Sequence, residues 1–426
     1  MTIDTVPAAA PRVFDAGLPK LDYLHMQDPE DAHRAVAEAR RQAPIALGAL
    51  GPEVLTYDLV RAVLRDPRFA AAHRPAAEAQ GITSGPLWQR ISTLILSIDG
   101  ERHHRQRRLV AKAFTPRATS RLQALIVEII TELLDKHAGL GRCDVVRDVA
   151  EQFPIPIICA LLGTPRRDWQ LFSDWVTDIE KIFDFNLAAD QACIVSAWQA
   201  LDDYLEDMID RRRHTLTDDL ISELIRAEDD GERLDHDELL SLAVALLGAG
   251  TDTARHQLAA AVDVFCGHPD QWALLGEHPE LAARAVEEVM RHRPIGFALP
   301  RIATEDVELA GVRIPAGTLV FANTAAANRD PAVFSDPDRF DITRDNPVGI
   351  LTFGNGAHYC LGSHLARLEL TTALTVMARH MPDLRRTGPS PWPSMIGVTG
   401  PSTLPIAFGP DDRETGDWDR LETPSR

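Results

Sequence analysis

From about Asp99 onward, apolar residues recur three and four positions apart along much of the chain. This spacing is typical of α-helices that bury one face. It predicts helices over Arg121 to Ala138, Trp198 to Arg212 and Asp218 to Ala227. We therefore expect a mainly α protein.

Two stretches predict a small β region. Residues Pro44 to Thr56 alternate weakly around two glycines and a proline, as a short hairpin does. Val307 to Leu309 and Val312 to Phe321 are rich in β-branched residues and flank the turn Ala310-Gly311. We expect two hairpins that accompany the helices.

The longest predicted helix runs from Asp235 to Cys266, with Asp235 or Asp237 as its N-cap. It is apolar on nearly every side, so we expect it to be buried through the middle of the molecule. Gly248 and Gly250 lie inside it. Each costs up to about 1 kcal/mol relative to alanine, which suggests that the open surface has a use.

Length and composition are those of a globular protein, with 426 residues of which 45% are hydrophobic. No low-complexity linker divides the chain, so we expect a single domain over residues 1–426. The N-terminal arm, residues 1–20, and the C-terminal tail, residues 411–426, are expected to be mobile. No apolar run approaches the roughly 20 residues of a membrane helix, which favours a soluble, cytoplasmic protein without a membrane partner.

The net charge of −19 argues against a nucleic-acid partner, because phosphate binding requires clustered cations. A basic run from Arg102 to Arg108 is the local exception. The chain has five cysteines and no CxxC pair, so neither a disulfide framework nor a zinc site is indicated. Four of them fit small buried residues: Cys143, Cys159, Cys193 and Cys266.

Cys360 differs from the other four by its surroundings. It stands just before a predicted helix, whose N-terminus favours the metal-binding thiolate. Nearby glycines would let the backbone approach a flat macrocycle. Phe, glycines, His, Cys and Gly at these offsets resemble the haem-binding signature of the cytochrome P-450 family. The residues that carry this resemblance are Phe353, Gly354, Gly356, His358, Cys360 and Gly362.

The resemblance extends over about residues 98–409 and includes two motifs on helices. Glu288 and Arg291 are similar to the family's Glu-x-x-Arg pair, which braces the meander behind the haem. Taken alone, such a pair is more often an exposed helix pair.

Ala249-Gly250-Thr251-Asp252-Thr253 resembles the family's oxygen-activation motif. There a hydroxyl orients oxygen and water, a carboxylate relays protons, and the glycine loosens the helix. The alternative is a solvated or capping Asp-Thr pair. Many relatives carry a second threonine where this chain has Ala254.

The resemblance also implies ligands for the two haem propionates. His103 and Arg107 match the family's His-x-x-x-Arg helix, and Arg301 and His358 complete the set. Buried carboxylates need such cations or donors. The other arginines of the basic run fit a solvated helix face equally well.

For function, the resemblance implies a soluble, bacterial-type haem-thiolate monooxygenase with a long central helix over the haem and Cys360 as the iron ligand. It would use haem b and O2, and would most simply hydroxylate a small, largely apolar molecule. The chain has no GxGxxG fingerprint and no iron-sulfur cysteine pattern, so a separate reductase system is implied. The resemblance implies that electrons from NAD(P)H arrive through a ferredoxin and a ferredoxin reductase, as in soluble members of the family. The basic run together with Arg367 could form the ferredoxin surface. We expect a monomer.

The substrate pocket is inferred from the family's variable regions and is predicted to be apolar, although core packing explains such residues equally well. The candidates are Phe183, Phe185, Phe297, Leu299, Ile396 and Val398. Dealkylation, epoxidation and oxidative ring coupling remain open as outcomes. A non-catalytic auxiliary protein would be expected to lack Cys360, and a haem sensor has no obvious use for Asp252 and Thr253.

Overall fold

A computed structural model describes residues 10–183, 186–229, 234–345 and 348–409. Helices dominate this part of the chain. The α-helices are α1 Pro29–Gln42, α2 Tyr57–Arg65, α3 His73–Ala79, α4 Gly85–Thr93, α5 Gly100–Ala111, α6 Pro116–Thr119, α7 Gln123–Ala138, α8 Pro154–Leu162, α9 Trp169–Ile179, α10 Leu187–His214, α11 Leu220–Asp229, α12 His236–Cys266, α13 Pro269–Glu277, α14 Ala282–His292, α15 Thr324–Asn328 and α16 Ser363–His380.

The strands are short and form three sheets, with orders β1-β2-β3-β9-β6-β4, β10-β11-β5 and β7-β8. They are β1 Lys20–Leu21, β2 Ile45–Gly48, β3 Pro52–Val54, β4 Phe69–Ala71, β5 Arg142–Asp144, β6 Ala298–Ala303, β7 Val307–Leu309, β8 Val312–Ile314, β9 Leu319–Asn323, β10 Arg385–Arg386 and β11 Pro405–Ala407. This confirms the predicted class, mainly α with a small β region.

Helix α12 is the centre of the molecule. It begins with a capping box, in which Asp235 and Glu238 satisfy each other's backbone N–H groups, and it runs for 31 residues. It packs against α8, α9, α10, α13, α14 and α16. Since α12 has no continuous polar face, burial on every side is the arrangement that stabilises it. The predicted central helix is therefore confirmed. No described helix is both long enough and apolar enough to span a membrane.

The two predicted hairpins are present, with one difference. β2 pairs antiparallel with β3, and β7 pairs antiparallel with β8. The stretch from Val312 to Phe321 is divided, because β9 begins at Leu319 and pairs with β6 and β3 in the large sheet. The turn at Pro315 and Gly317 separates the two strands, and Gly317 has φ +78°.

The N-terminal arm is only partly what the sequence predicts. Val13 is fully buried, and its N–H donates to the carbonyl of Arg313 at 2.8 Å. The N–H of Arg313 in turn donates to the carbonyl of Pro11 at 2.8 Å. Residues 10–20 thus dock on the sheet region, because a buried valine and two backbone hydrogen bonds hold them there. Residues 1–9 and the tail 411–426 lie outside the described residues.

Glu288 and Arg291 of α14 form a buried ion pair, with Nε to Oε2 at 2.7 Å. The remaining guanidinium N–H groups donate to three backbone carbonyls of the segment after α15, those of Asn328, Pro337 and Arg339. The structure therefore places this pair as a brace between α14 and the irregular segment that leads to Cys360. It is not an exposed helix pair.

We predict that Arg291→Ala lowers the free energy of unfolding by about 3–5 kcal/mol, because it removes the fully buried partner of Glu288 together with three hydrogen bonds to backbone carbonyls, and leaves Arg344 as the only remaining described cation on that carboxylate. Arg34→Ala removes an exposed pair with Asp31 and serves as the control, with an expected loss of less than about 1 kcal/mol. Urea titrations of the two variants measure the difference. Equal losses would contradict the bracing role.

A second buried cluster joins α1 to α14. Arg329 and Arg293 both donate to the Glu30 carboxylate at 2.9 Å. His33 is buried beside them, its Nε2 has no hydrogen-bond partner, and burial together with the arginine charges holds its pKa well below the usual value. His33 is therefore neutral in the folded protein at neutral pH.

This cluster predicts loss of stability in mild acid. Below about pH 6.5 the unfolded chain protonates His33 while the folded chain does not, so each such proton removes about 1.4 kcal/mol of stability per pH unit. His33→Gln should lose less stability than the parent protein between pH 7 and pH 5. His214→Gln, at an exposed position, is the control and should follow the parent protein. Identical slopes for the parent and His33→Gln in urea titrations would show the expectation to be wrong.

Candidate functional site

Two glycines allow the loop that carries Cys360 to pack closely against its neighbours. Gly354 and Gly356 both have φ +72°, a conformation that L side chains rarely adopt. A Cβ at Gly356 would lie 2.4 Å from the carbonyl oxygen of Leu64 in α2. The N–H of Cys360 donates to the carbonyl of Phe353 at 2.9 Å, which closes the loop just before α16.

The protonation of the Cys360 thiol is set by opposing effects. Burial raises its pKa, whereas the Gly362 N–H and the charges of Arg107 and Arg367 act in the opposite direction. The net effect is a raised pKa. The helix N-terminus therefore does not by itself favour the thiolate, contrary to the expectation from the sequence. A metal ion bound at the sulfur would supply the missing stabilisation, because a coordinating thiol loses its proton.

Helix α5 presents two opposite faces. Arg105 donates two hydrogen bonds to the buried Glu238 carboxylate, at 2.9 and 2.5 Å, and so ties α5 to the first turn of α12. His103 and Arg107 lie four residues apart on the other face. Arg107 donates to the carbonyl of Tyr359, directly before Cys360. The Glu238 contact thus orients this second face toward the cysteine loop.

Three of the predicted propionate ligands meet beside that loop. The rings of His103 and His358 are stacked with centroids 4.1 Å apart, and His358 Nε2 is 2.8 Å from Asp99 Oδ1. Arg301 is buried on β6, and among the described residues no carboxylate pairs with its guanidinium, which donates to the carbonyl of Pro300. Burial lowers the pKa of His103 to about 4, with His358 and Arg107 adding to the effect.

This group of residues is suited to an anionic ligand. His103 is 1% exposed and its Nδ1 has no hydrogen-bond partner in the described structure. A buried donor without a partner and a buried guanidinium without a carboxylate both carry a free-energy cost that an anion would remove. Two carboxylates on a flat cofactor at Cys360 would meet this need, so the residues present fit haem. No cluster of three or more metal-ligating side chains occurs in the described ranges, and a macrocycle supplies the remaining ligands itself.

One face of α12 is accessible although the helix is buried elsewhere. Ala249 is exposed and Thr253 is half-buried, and the Thr253 hydroxyl donates to the carbonyl of Ala249 at 2.8 Å. Gly250 lies against α8, where a Cβ would be 2.8 Å from Ile158 Cδ1. The helix assignment is continuous through Gly250, and the lack of a side chain there lets Ile158 of α8 approach α12 closely. The loosening of the helix at this glycine stays a prediction.

Asp252 is buried within a set of polar groups. Arg255 Nε forms an ion pair with it, and His256 Nε2 is 3.5 Å from its Oδ2. Burial acts to raise the pKa of Asp252, but hydrogen bonds from His256 and Glu180 and the charges of His256 and Arg255 bring it down to about 2. Asp252 is therefore an ionised carboxylate at neutral pH and does not behave as a solvated helix residue.

The residues predicted to line the substrate pocket lie in different parts of the structure. Leu299 Cδ1 lies 3.2 Å from the Cβ position of Gly354, beside the cysteine loop. Gly397, between Ile396 and Val398, packs on the backbone carbonyl of Phe183, 2.7 Å from its Cβ position. The turn from Ile396 to Val398 thus contacts Phe183, whereas Leu299 borders the cysteine loop. Ile396 and Val398 also pack against the cluster that contains Phe297.

Phe297 is a different case. Its ring is buried against His33 and Tyr23, with centroids 4.8 and 5.1 Å away. It belongs to a core cluster, because apolar packing on every side leaves no free face. Phe185 lies outside the described residues.

Several polar residues of the site were not anticipated. Asp99 hydrogen-bonds His358, and His256 lies beside Asp252. His73 lies near Arg301 and His358, and its pKa is lowered to about 4, mainly by burial. The spacing of Asp252 and His256, four residues apart on a helix, was a signal available in the sequence. Nothing local marks His73, because its neighbours are far away along the chain.

Comparisons with known proteins agree on one family over most of the chain. The family model described as "Cytochrome P450", written P-450 here, matches residues 53–277 and 256–381. The luteothin monooxygenase of Streptomyces thioluteus is 39% identical over 398 residues, which are 92% of this chain and 97% of that protein. The mycinamicin IV hydroxylase/epoxidase of Micromonospora griseorubida is 40% identical and covers 83% of this chain and 89% of its own length.

A solved structure agrees with these relatives. The P-450 hydroxylase LnmA from the leinamycin pathway of Streptomyces atroolivaceus superposes with a TM-score of 0.75 at 40% identity, covering 88% of this chain and 95% of that one. The resemblance first read from the residues around Cys360 therefore holds along the chain, and the family uses haem and O2. This chain belongs to the cytochrome P-450 family of monooxygenases.

Proposed function

We propose that this chain hydroxylates a small, largely apolar natural-product intermediate at a haem bound through Cys360. The observation that carries the proposal is the group of His103, His358 and Arg301 beside the cysteine loop, for which the described residues offer no neutralising carboxylate other than Asp99. With Arg107, these residues would bind the propionates. When bound, the haem supplies activation of O2 with two electrons delivered from outside.

The chain's own residues would control access and protons. Gly354 and Phe353 shape the cysteine side, and Gly362 begins the helix whose N–H groups face the sulfur. On α12, Ala249 is exposed and carries only a methyl group, so it would leave room for a ligand at that face of the helix. Asp252, ionised and next to Thr253, would accept protons and pass them on by way of the Thr253 hydroxyl.

The substrate class is supported by the relatives and by the apolar residues. Luteothin, mycinamicin IV and leinamycin appear in the names of three similar proteins, all of secondary metabolism. Leu299, Ile396, Val398 and Phe183 offer an apolar lining, whereas Phe297 is left out because it is core. Epoxidation is the second candidate outcome, since the mycinamicin relative is named for both reactions.

An optical titration tests the proposal. The purified ferric protein, titrated with natural products of this size, should pass from low to high spin with at least one apolar compound. Val398→Trp should weaken that binding by about 10-fold or more, because an added ring overfills the space. Val348→Trp, at an exposed position outside the proposed lining, should bind as the parent protein does. Equal weakening by both variants would argue against the proposed lining, and a spectrum without thiolate character would overturn Cys360.

We further propose a ferredoxin and a ferredoxin reductase as electron partners of a monomeric, cytoplasmic protein. The docking surface differs from the one suggested by sequence, because Arg102 and Arg105 are bonded to Glu238, and Arg367 to Glu287. Arg108 and Lys112 are exposed, four residues apart, and have no ion pair within the described residues. They lie on or just beyond α5, the helix that contacts Tyr359.

Reversing both charges, Arg108→Glu with Lys112→Glu, should slow ferredoxin-supported reduction by about 10-fold at low ionic strength, with the difference shrinking as salt is added. Lys136→Glu on α7 is the control for a change of net charge. Stopped-flow reduction rates measure the effect. The assigned surface is wrong if the double variant and the control are reduced equally fast at low salt.

A further inference from the structure

Glu180 follows the last residue of α9 and reaches the central helix. Its carboxyl group hydrogen-bonds Asp252. Its Oε1 also lies 3.5 Å from the Cβ position of Gly248. Gly248 and Asp252 are four residues apart and share one face of α12, so both observations place Glu180 on the same side of the helix. A Cβ at Gly248 would be in ordinary van der Waals contact with the Glu180 carboxyl, which therefore lies directly beside this position of α12.

Two carboxyl groups joined by a hydrogen bond must share a proton, because an ionised carboxylate has no donor of its own. Like charges at this distance cannot both be ionised without a large cost. Asp252 is the ionised member, since Arg255 and His256 stabilise its negative charge. Glu180 is therefore the donor, and its O–H points at an Asp252 oxygen.

The remaining surroundings of Asp252 favour Glu180 as the path from solvent. Both ring nitrogens of the half-buried His256 face protein atoms, since Nε2 lies 3.5 Å from Asp252 Oδ2 and Nδ1 lies 2.7 Å from the Cβ position of Gly400. Arg255 is a permanent cation and does not release protons at neutral pH. Glu180 itself is half-buried at the end of α9, next to the partly exposed pair of Lys181 and Asp178.

We infer that Glu180 supplies the protons that Asp252 passes on, as a relay residue that acts through Asp252. In the step, the O–H bond of Glu180 breaks and an O–H bond forms at an Asp252 oxygen. Onward transfer toward Thr253 restores the Asp252 carboxylate, and Glu180 regains a proton from water. No electrons move in this exchange. The inference rests on the proposed use of Asp252 in proton delivery.

The test compares Glu180→Gln with the parent holoenzyme. Glutamine keeps the shape and an N–H donor toward Asp252 but has no proton to transfer. Asp178→Asn is the matched control, because it removes a carboxylate two residues away that pairs with Lys181 and not with Asp252. Glu180→Asp is the rescue variant, since it restores an acid. Three quantities are measured: the infrared band of a protonated carboxyl group in the resting protein, the share of electrons lost to peroxide, and the rate in H2O against D2O.

We expect Glu180→Gln to lose one protonated-carboxyl component of the infrared band in the parent-minus-variant difference spectrum, in which the contribution of other buried carboxyls such as Glu369 cancels. The variant should also raise the peroxide share and slow turnover by about 10-fold or more with an altered solvent isotope effect. Asp178→Asn should match the parent, and Glu180→Asp should recover part of the rate. An unchanged infrared band in Glu180→Gln would overturn the shared proton. Loss of the band with unchanged peroxide share and isotope effect would overturn the relay. A parent protein without haem-thiolate absorption would instead refute the proposed haem site, which separates the two failures.

Discussion

The burial of most of α12 is the constraint on which the rest of the structure depends. A helix of 31 residues without a continuous polar face must be covered over most of its surface, and the surrounding helices do so while leaving Ala249 and Thr253 accessible. Its few polar residues then need partners from those neighbours. Glu238 receives Arg105 from α5, and Asp252 receives Glu180 from the end of α9. Each of these two contacts gives a polar side chain of α12 a partner, and each also fixes the position of a neighbouring helix, α5 or α9, against α12.

The parts that sequence predicts well are those governed by local pattern. Periodicity gives α12 and most other helices, and the spacing around Cys360 gives the family, because a loop that passes close to a macrocycle tolerates few residue types at fixed positions. The two hairpins follow from turn residues and β-branched content. Strand β9 does not follow, because its partners β3 and β6 are decided by the packing of the whole sheet.

The misjudged parts depend on contacts between distant segments. Phe297 was expected in a pocket but packs on His33. The basic run was expected to be a free surface, whereas Arg105 is engaged by Glu238. In each case the residue type allowed both roles. Only the residue facing it, more than thirty positions away in the chain, decided between them.

The contact between Gly400 and His256 has a consequence for redesigning the enzyme. The loop that holds Ile396 and Val398 is an obvious place to change which molecules are accepted. Any side chain at Gly400 would press on the histidine that holds Asp252. Under the proposed substrate lining and proton relay, a side chain at Gly400 would therefore change both which molecules bind and what share of the supplied electrons is lost to peroxide. Under the same proposals, libraries at Ile396 and Val398 that leave Gly400 intact would change binding alone.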